Sequence, residues 1–301
     1  MAILDRALVR LLPAVPRTVV RRIADRYIAG EELGDAVETV ARLNAGGKTA
    51  TIDVLGEEVG RREEVQEITR AYLDAIEAIS ERGLDSNVSI KPTGLGLLLG
   101  CDVARENLEA VVRRAAEVGN FVRIDMEDAS TTEDTLGIYR ELREAGLDNV
   151  GVVLQARLRR TLDDIEALAE LRPNIRICKG IYLEPEEIAF TGFEEIRLNY
   201  VRCLEALDSA ASFVGVATHD EFLVSEAKRV MQEPYEFQML LGVREPLGDQ
   251  LVRDGARLRI YVPYGRQWYE YSLRRLQENP RIAGYVATDT LGRVLGRNGS
   301  A

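Results

Sequence analysis

The chain has 301 residues, of which 46% are hydrophobic and 30% are charged, and its formal net charge is −11. This composition is typical of a globular protein with a sizeable core and excludes an intrinsically disordered chain. The acidic balance disfavours nucleic-acid binding, which needs a basic surface, and no apolar run is long enough for a transmembrane helix.

The few cysteines and the single histidine limit the kinds of metal and catalytic site that the chain can form. The three cysteines, Cys101, Cys178 and Cys203, lack metal-ligand spacing, so reduced thiols in a cytoplasmic protein are expected. His219 is the only histidine, which excludes a histidine-rich metal site and any triad that needs a second histidine. The N-terminus alternates charged and apolar residues and lacks the uninterrupted apolar core of a signal peptide.

The predicted elements begin with an N-terminal helical segment over residues 1–45, in which apolar residues recur at helical spacing over residues 19–28 and again over residues 31–44. Short strands rich in Val and Ile then alternate with helices that end at Gly or Pro. The predicted strands are 50–55, 87–90, 121–125, 150–154, 175–178, 213–217, 236–239 and 258–262. The helices that follow them are 61–82, 103–118, 131–145, 158–171, 186–209 with a break at Gly192, 220–232, 244–255 and 267–279.

Eight strand–helix units of this length predict an α/β fold, a (β/α)8 barrel of the TIM type. A doubly wound open sheet is the alternative. No linker rich in Pro, Gly or Ser divides the chain, so residues 46–291 are expected to form one barrel, followed by a frayed tail over residues 292–301.

Polar side chains lie within or directly after seven of the eight predicted strands, toward the ends that line the active site of a TIM barrel. They are Lys91, Asp125 with Glu127 and Asp128, Gln155, Arg176 with Lys179, Thr218 with His219, Gln238, and Tyr261. Three of these residues, Lys91, Arg176 and Lys179, are basic. Together with Arg274 and Arg275 of the last predicted helix, they form a group of positive charges in an otherwise acidic protein. This pattern predicts an anionic ligand, either a carboxylate or a phosphate. Each residue also has a structural alternative, such as an internal ion pair between Arg176 and Asp125.

Three patterns suggest other chemistries. The acidic run 125–128 lacks a His or Cys at a spacing that would complete a metal site, so no metal is expected. The glycine-rich run 94–100 departs from a dinucleotide-binding loop, because its third glycine comes one residue late. A lysine at a strand end, Lys91 or Lys179, leaves a Schiff-base aldolase open.

Eight short stretches carry a family resemblance, and they are Val88–Lys91, Ile124–Asp128, Val153–Ala156, Arg176–Pro185, Ala217–Asp220, Glu236–Leu240, Tyr261–Gly265 and Tyr271–Asn279. Together and in this order they resemble the proline dehydrogenase (proline oxidase) family, in its short bacterial monofunctional form. No single stretch is specific, but eight stretches in the family's order are.

The resemblance implies a distorted (β/α)8 barrel that binds FAD non-covalently at its mouth. It implies oxidation of L-proline to Δ1-pyrroline-5-carboxylate, the first step of proline catabolism, with transfer of the electrons to a quinone. A separate pyrroline-5-carboxylate dehydrogenase would be a partner, and peripheral contact with the inner membrane surface would bring the enzyme to its quinone. Residues 6–22 are the candidate membrane segment.

The resemblance also implies roles for individual residues. The cofactor contacts would be Met126, Gln155, Arg176, Lys179, Gly180, Ile181, Tyr182, Thr218, His219 and Gln238. The substrate contacts would be Lys91, Arg274 and Arg275 for the carboxylate, Leu240, Tyr261 and Tyr271 around the ring, and Glu278 beside the arginines. Asp125 and Arg176 would stand at the catalytic centre. This function requires the last helix to lie over the barrel mouth rather than on the outer wall.

The chain departs from the family pattern at Arg157, Cys178, Ile181 and Leu241, positions that bear on cofactor affinity, acceptor preference and pocket size. The nearest alternative function is a hydroxyproline dehydrogenase on the same scaffold. The bulk of Tyr261 favours unsubstituted proline over it. A non-catalytic binding barrel is a further alternative.

Overall fold

The computed structural model describes residues 21, 26–232, 234–269 and 271–272 of the chain. Within them, eight parallel strands pair in chain order, and the eighth strand pairs with the first to close a barrel. The predicted (β/α)8 barrel is therefore confirmed, and the doubly wound open sheet is wrong.

All eight predicted strands are present, with shifts of a few residues at their ends. The strands are β1 (Thr49–Val54), β2 (Ser86–Ile90), β3 (Val122–Ile124), β4 (Val150–Gln155), β5 (Asn174–Cys178), β6 (Phe213–Ala217), β7 (Tyr235–Leu240) and β8 (Leu258–Tyr264). The helices are α1 (Leu33–Ala45), α2 (Arg62–Glu81), α3 (Cys101–Glu117), α4 (Thr132–Glu144), α5 (Thr161–Leu168), α6 (Phe193–Ala210), α7 (Glu221–Val230) and α8 (Glu245–Arg253). No helix in this part of the chain is long and apolar enough to cross a membrane.

One predicted helix is wrong in its first part. Residues 186–192 were expected to be helical, but α6 begins only at Phe193, after Gly192. The preceding segment is a loop held on the β4–α5 connection, where the Phe190 amide donates to Arg157 O at 2.7 Å. Pro185 lacks an amide hydrogen and Gly192 favours a helix boundary, so this segment pairs with a neighbouring loop instead of extending the helix.

The inner face of the barrel is polar, although the strands read as aliphatic. A Cβ atom at Gly151 would lie 2.5 Å from Arg123 Nη1, and one at Gly215 would lie 2.4 Å from Gln238 Nε2. Two glycines thus make room for long polar side chains inside the barrel. The aliphatic core lies outside the barrel, between the strands and the surrounding helices.

The helix before the first strand takes part in the barrel wall. α1 packs against both β1 and β8, where the eighth helix of a regular barrel would lie. The helical residues that follow β8 lie elsewhere, because Tyr271 is buried against Ile28 and Leu55, and Leu55 directly follows the C-terminal end of β1. Tyr271 therefore lies beside the C-terminal end of β1, at the end of the barrel that carries Lys91.

Candidate active site

Lys91, directly after β2, is buried at the C-terminal end of the barrel and surrounded by carboxylates. Its Nζ lies 2.7 Å and 2.8 Å from the two oxygens of Asp53, 3.6 Å from Glu57 and 4.0 Å from Asp125. Burial alone would lower the pKa of Lys91, but Asp53, Glu57 and Asp125 raise it well above its usual value. The side chain is therefore an ammonium group at neutral pH.

Asp53 is the member of this cluster that the sequence interpretation missed. It is fully buried in β1, and the Tyr72 hydroxyl of α2 donates to its Oδ1 at 3.2 Å. Burial raises the pKa of Asp53 to about 6, although Lys91 acts to lower it. The available signal was an acid inside an aliphatic strand, since a buried carboxylate needs a cation or hydrogen-bond donors.

Asp125, after β3, connects Lys91 to the centre of the barrel. The Tyr261 hydroxyl donates to Asp125 Oδ2 at 2.9 Å and accepts a hydrogen bond from Lys91 Nζ at 3.1 Å. The Ser89 hydroxyl donates to Asp125 Oδ1 at 2.7 Å, and Arg176 Nη1 donates to the same oxygen at 2.8 Å. The expected ion pair between Arg176 and Asp125 is thus present.

Arg176 was expected near a strand end, but it lies in the middle of β5 with its side chain inside the barrel. Its Nε donates to Gln238 Oε1 at 2.6 Å, and Gln238 Nε2 donates in turn to Glu236 Oε1 at 2.8 Å. Gln238 therefore links Arg176 to Glu236 through its two polar atoms. Arg259 Nε reaches Glu236 Oε1 at 2.5 Å, which extends the hydrogen-bonded chain to the opposite end of the barrel.

A second group of residues surrounds Gly180, just after β5. Gln155 Nε2 donates to Glu127 O at 2.6 Å, whereas the buried Gln155 Oε1 has no hydrogen-bond partner among the described residues. Gly180 has a φ of +92°, and a Cβ atom there would lie 2.5 Å from Gln155 Oε1 and 2.9 Å from the Arg157 side chain. Arg157 Nε is also buried and unpartnered within the described part of the chain. Only glycine fits here, and it leaves a free acceptor close to a free donor.

Lys179 is neutralised by Asp220. Lys179 Nζ lies 2.6 Å from Asp220 Oδ2, and Arg197 contacts both carboxylate oxygens at 2.7 Å. Burial alone would raise the pKa of Asp220, but hydrogen bonds from Arg197 and Lys179 lower it to about 2. The two cations also lie over the Phe193 ring, at 4.5 Å for Lys179 Nζ and 4.4 Å for Arg197 Cζ.

Comparison with known proteins decides the family. The family model described as "Proline dehydrogenase" matches residues 36–288 of the chain. Proline dehydrogenase 1 of Bacillus subtilis (strain 168) is 37% identical over 269 residues, covering 87% of this chain and 89% of that protein. Proline dehydrogenase of Deinococcus radiodurans is 37% identical over 279 residues, covering 89% of this chain and 90% of its own length. The chain belongs to the proline dehydrogenase family.

A solved structure supports the same assignment for this proline dehydrogenase family member. The chain is similar to proline utilization A (PutA) from Bdellovibrio bacteriovorus inactivated by N-propargylglycine, with a TM-score of 0.79 and 25% sequence identity. The similarity covers 86% of this chain and 33% of that one, so the chain spans about a third of that larger protein. The family resemblance of the eight sequence stretches is confirmed.

The structure also places several other residues that the family resemblance indicates. Leu240 pairs with Tyr261 across β7 and β8, and its amide donates to His219 Nε2 at 3.0 Å. Thr218 Oγ1 accepts a hydrogen bond from the Asp220 amide at 3.1 Å, and Met126 is buried. The remaining placements are Ile181 as an exposed side chain, Tyr182 as a half-buried one, and Tyr271 as a buried one, whereas Arg274, Arg275 and Glu278 lie outside the described residues.

Proposed function

We propose that the chain oxidises L-proline to Δ1-pyrroline-5-carboxylate, with FAD bound non-covalently and a quinone as electron acceptor. The observation that carries the proposal is the buried ammonium group of Lys91, which the Tyr261 hydroxyl links to Asp125 and Arg176 at the barrel mouth. Such a fixed cation in a nearly dry site suits the carboxylate of an amino-acid substrate.

The charge balance of the described residues indicates what else the substrate requires. Asp53, Glu57 and Asp125 place three carboxylates within 4.0 Å of Lys91, and Arg176 pairs with Asp125. An anionic substrate therefore needs additional positive charge. We assign that role to Arg274 and Arg275, with Glu278 as the residue that orients them, on the family resemblance.

The residues around Gly180 fit a flavin. Gln155 Oε1 offers a buried acceptor and Arg157 Nε a buried donor, which match the alternating N–H and C=O groups of a flavin ring edge. A bound FAD would supply the electron sink for removal of a hydride from the carbon next to the substrate nitrogen. The residues that would hold FAD are Met126, Gln155, Arg176, Lys179, Gly180, Ile181, Tyr182, Thr218 and His219. Gln238 would act behind them by fixing Arg176.

The chain's own residues would orient the substrate rather than transfer its protons. Lys91 would bind the carboxylate, and Tyr261, Leu240 and Tyr271 would enclose the ring. Asp125 would hold both the Tyr261 hydroxyl and the Arg176 guanidinium in place through its two oxygens. Orientation in a site that excludes water is the main contribution expected of a protein whose cofactor supplies the electron sink.

A flavin assay tests the proposal directly. The purified protein should be yellow, denaturation should release FAD into solution, and L-proline should bleach the flavin absorbance under anaerobic conditions. The product should react with o-aminobenzaldehyde, as a cyclic imine does. A protein that stays colourless after incubation with FAD, or a flavin that proline does not reduce, would overturn it.

Two alternatives are tested by side-by-side assays. The Tyr261 hydroxyl is held by Lys91 and Asp125, so the ring is fixed and should crowd a hydroxylated substrate. Turnover of L-proline should accordingly exceed that of trans-4-hydroxy-L-proline. A Schiff-base aldolase needs a neutral lysine, whereas Lys91 and Lys179 are both paired with carboxylates. Borohydride treatment with a carbonyl substrate should therefore trap no adduct.

The proposed electron acceptor and location rest on the family resemblance. A quinone analogue should sustain turnover, and a separate pyrroline-5-carboxylate dehydrogenase should consume the product. We propose a cytoplasmic enzyme with peripheral contact at the inner membrane surface, through basic and apolar residues near the N-terminus. Sedimentation with anionic lipid vesicles should be lost on deletion of residues 6–20, which leaves Arg21 and its contacts in place.

A further inference from the structure

Gln238 reaches Arg176 across an intervening strand, and a glycine leaves the space for it. In the barrel, β6 lies between β5, which carries Arg176, and β7, which carries Gln238. Gly215 of β6 is the register partner of Arg176 on one side and of Glu236 on the other. A Cβ atom at Gly215 would lie 2.4 Å from Gln238 Nε2 and 2.8 Å from Gln238 Cδ. Any other residue at this position would therefore stand in the path of the Gln238 side chain.

A methyl group at Gly215 would disturb this one side chain first. The three heavy atoms nearest to a Cβ atom at Gly215 all belong to Gln238. Gly151 of β4, which also makes room inside the barrel, differs because a Cβ atom there would lie 2.4 Å from the backbone oxygen of Asn174. A side chain can shift at lower cost than a strand backbone can. Gly215→Ala should therefore fold and displace Gln238.

The amide of Gln238 has one favourable orientation. A guanidinium group only donates hydrogen bonds, and a carboxylate only accepts them. Gln238 lies between one of each, so its carbonyl oxygen faces Arg176, at 2.6 Å from Nε, and its amide nitrogen faces Glu236, at 2.8 Å from Oε1. Arg259 Nε donates to the same oxygen of Glu236 at 2.5 Å. The buried Glu236 therefore sets which end of the Gln238 amide reaches Arg176.

The Arg176 guanidinium is held from two sides. Gln238 accepts from Nε at 2.6 Å, and Asp125 accepts from Nη1 at 2.8 Å. A planar guanidinium that is bonded at two of its nitrogens has little freedom to rotate. We propose that Gly215 and Glu236 are positioning residues, which act through Gln238 to orient Arg176 toward the flavin. The inference rests on the proposed function, because Arg176 is one of the residues proposed to hold FAD.

Gly215→Ala tests the inference on the flavin-loaded enzyme. Because displacement of Gln238 frees Arg176 Nε, kcat for proline should fall about tenfold while KM stays within about twofold. The midpoint potential of the bound flavin should become more negative, since a well-placed cation favours the more negatively charged reduced form. Val216→Ala is the matched control, because this neighbour on β6 packs in the aliphatic core outside the barrel. Val216→Ala should lower stability and leave kcat and the flavin potential unchanged.

Two variants of Glu236 test the orientation of the amide. Glu236→Gln keeps a carbonyl oxygen that can accept from both Arg259 and Gln238, so kcat should stay within about threefold. Glu236→Met has a similar shape but no such acceptor, which lets the Gln238 amide turn over, and kcat should fall about tenfold. Equal losses in the two variants would contradict the role of Glu236. If Glu236→Met does not fold because Arg259 loses its carboxylate, the Gly215 variants decide.

A double variant shows whether Gly215→Ala acts through Gln238. In a Gln238→Ala protein the added methyl group meets no amide, so Gly215→Ala should cause no further change in kcat, flavin potential or urea unfolding. Additive losses would mean that Gly215→Ala distorts the strand itself, which would overturn the inference. Normal kcat and flavin potential in Gly215→Ala would do the same and leave proline oxidation by the unaltered enzyme untouched. An unaltered protein that takes up no FAD would instead refute the proposed function.

Discussion

Lys91 and Asp53 form a two-pronged contact across the first two strands of the barrel, with Lys91 Nζ 2.7 Å and 2.8 Å from the two carboxylate oxygens. Asp53 is fully buried and Lys91 is nearly so. The position and the charge of the proposed carboxylate-binding residue therefore depend on a residue of β1 that itself has no access to solvent.

Replacement of Asp53 by Asn should destabilise the enzyme and impair catalysis together. Breaking a buried ion pair by removing one partner costs about 3–5 kcal/mol, because the other charge remains buried. We expect the free energy of unfolding in urea to fall by about 3 kcal/mol and kcat/KM for proline to fall at least tenfold.

Asp249→Asn is the matched control, since it removes an ion pair with Lys48 in which Asp249 is half-exposed. Exposed pairs contribute up to about 1 kcal/mol, so this variant should retain nearly full stability and activity. Equal unfolding free energies for the two variants would show that Asp53 does not support Lys91 in the way described.

Glu127 should make stability depend on pH. Burial raises the pKa of Glu127 to about 7 from an ordinary value of 4.5, although hydrogen bonds from Thr93 act to lower it. The folded state thus holds this proton more tightly than the unfolded chain. The contribution to stability is fully present below about pH 4.5 and is lost as the pH rises through about 7.

Glu127→Gln removes this titration and keeps an acceptor for the Thr93 amide, which now donates to Glu127 at 2.9 Å. The variant should match the unaltered protein near pH 4.5 and exceed it by up to about 3 kcal/mol at pH 8, as measured by urea unfolding at each pH. Glu133→Gln, at an exposed carboxylate on α4, should show no such gain. A constant difference between pH 4.5 and pH 8 would refute the raised pKa.

Gly180→Ala should weaken FAD binding without unfolding the barrel. The left-handed φ of +92° disfavours any residue with a Cβ, and the added methyl group would lie 2.5 Å from Gln155 Oε1. We expect FAD affinity, measured by fluorescence titration, to fall more than tenfold. Gly137→Ala lies within α4 with open space around it and should instead stabilise the protein by about 0.5–1 kcal/mol. Unchanged FAD affinity in Gly180→Ala would contradict the assignment of the cofactor site.

Tyr261→Phe should raise KM for proline about tenfold. The change removes the hydroxyl that links Lys91 to Asp125 but keeps the ring that lies beside the proposed substrate site. Tyr139→Phe removes a buried hydroxyl on α4 that accepts from Arg143, so its steady-state kinetics should be unaltered. If Tyr261→Phe had normal kinetics, the hydroxyl bridge would have no part in holding the substrate.

The sequence predicted the barrel because eight Val- and Ile-rich runs of similar length alternate with helices. This alternation can be recognised without knowing how individual side chains pack. The sequence also placed Lys91, Asp125 and Gln155 correctly at strand ends. It could not show that α1 packs between the first and last strands, since closure of a barrel is a long-range contact that leaves no local pattern.

The site residues that the sequence interpretation missed lie deeper in the barrel than the residues at the strand ends. Asp53, Arg123 and Glu236 face the barrel interior, and the latter two come two positions before Asp125 and Gln238 in their strands. Residues two apart in a strand point to the same face, so the sequence could have predicted that these side chains also face the barrel interior. It could not have predicted which groups they bond to, because their hydrogen-bond partners come from strands far apart in the chain.

The position of α1 has a consequence for how the chain folds. This helix is made early in synthesis, yet one of the two strands it covers, β8, is the last to emerge. The apolar face of α1 therefore stays exposed, or is transiently covered by other segments, until β8 has been synthesised. Contacts of such long sequence separation slow folding, so barrel closure is expected to be the late and rate-limiting event, and the nascent chain to be most prone to aggregation just before it.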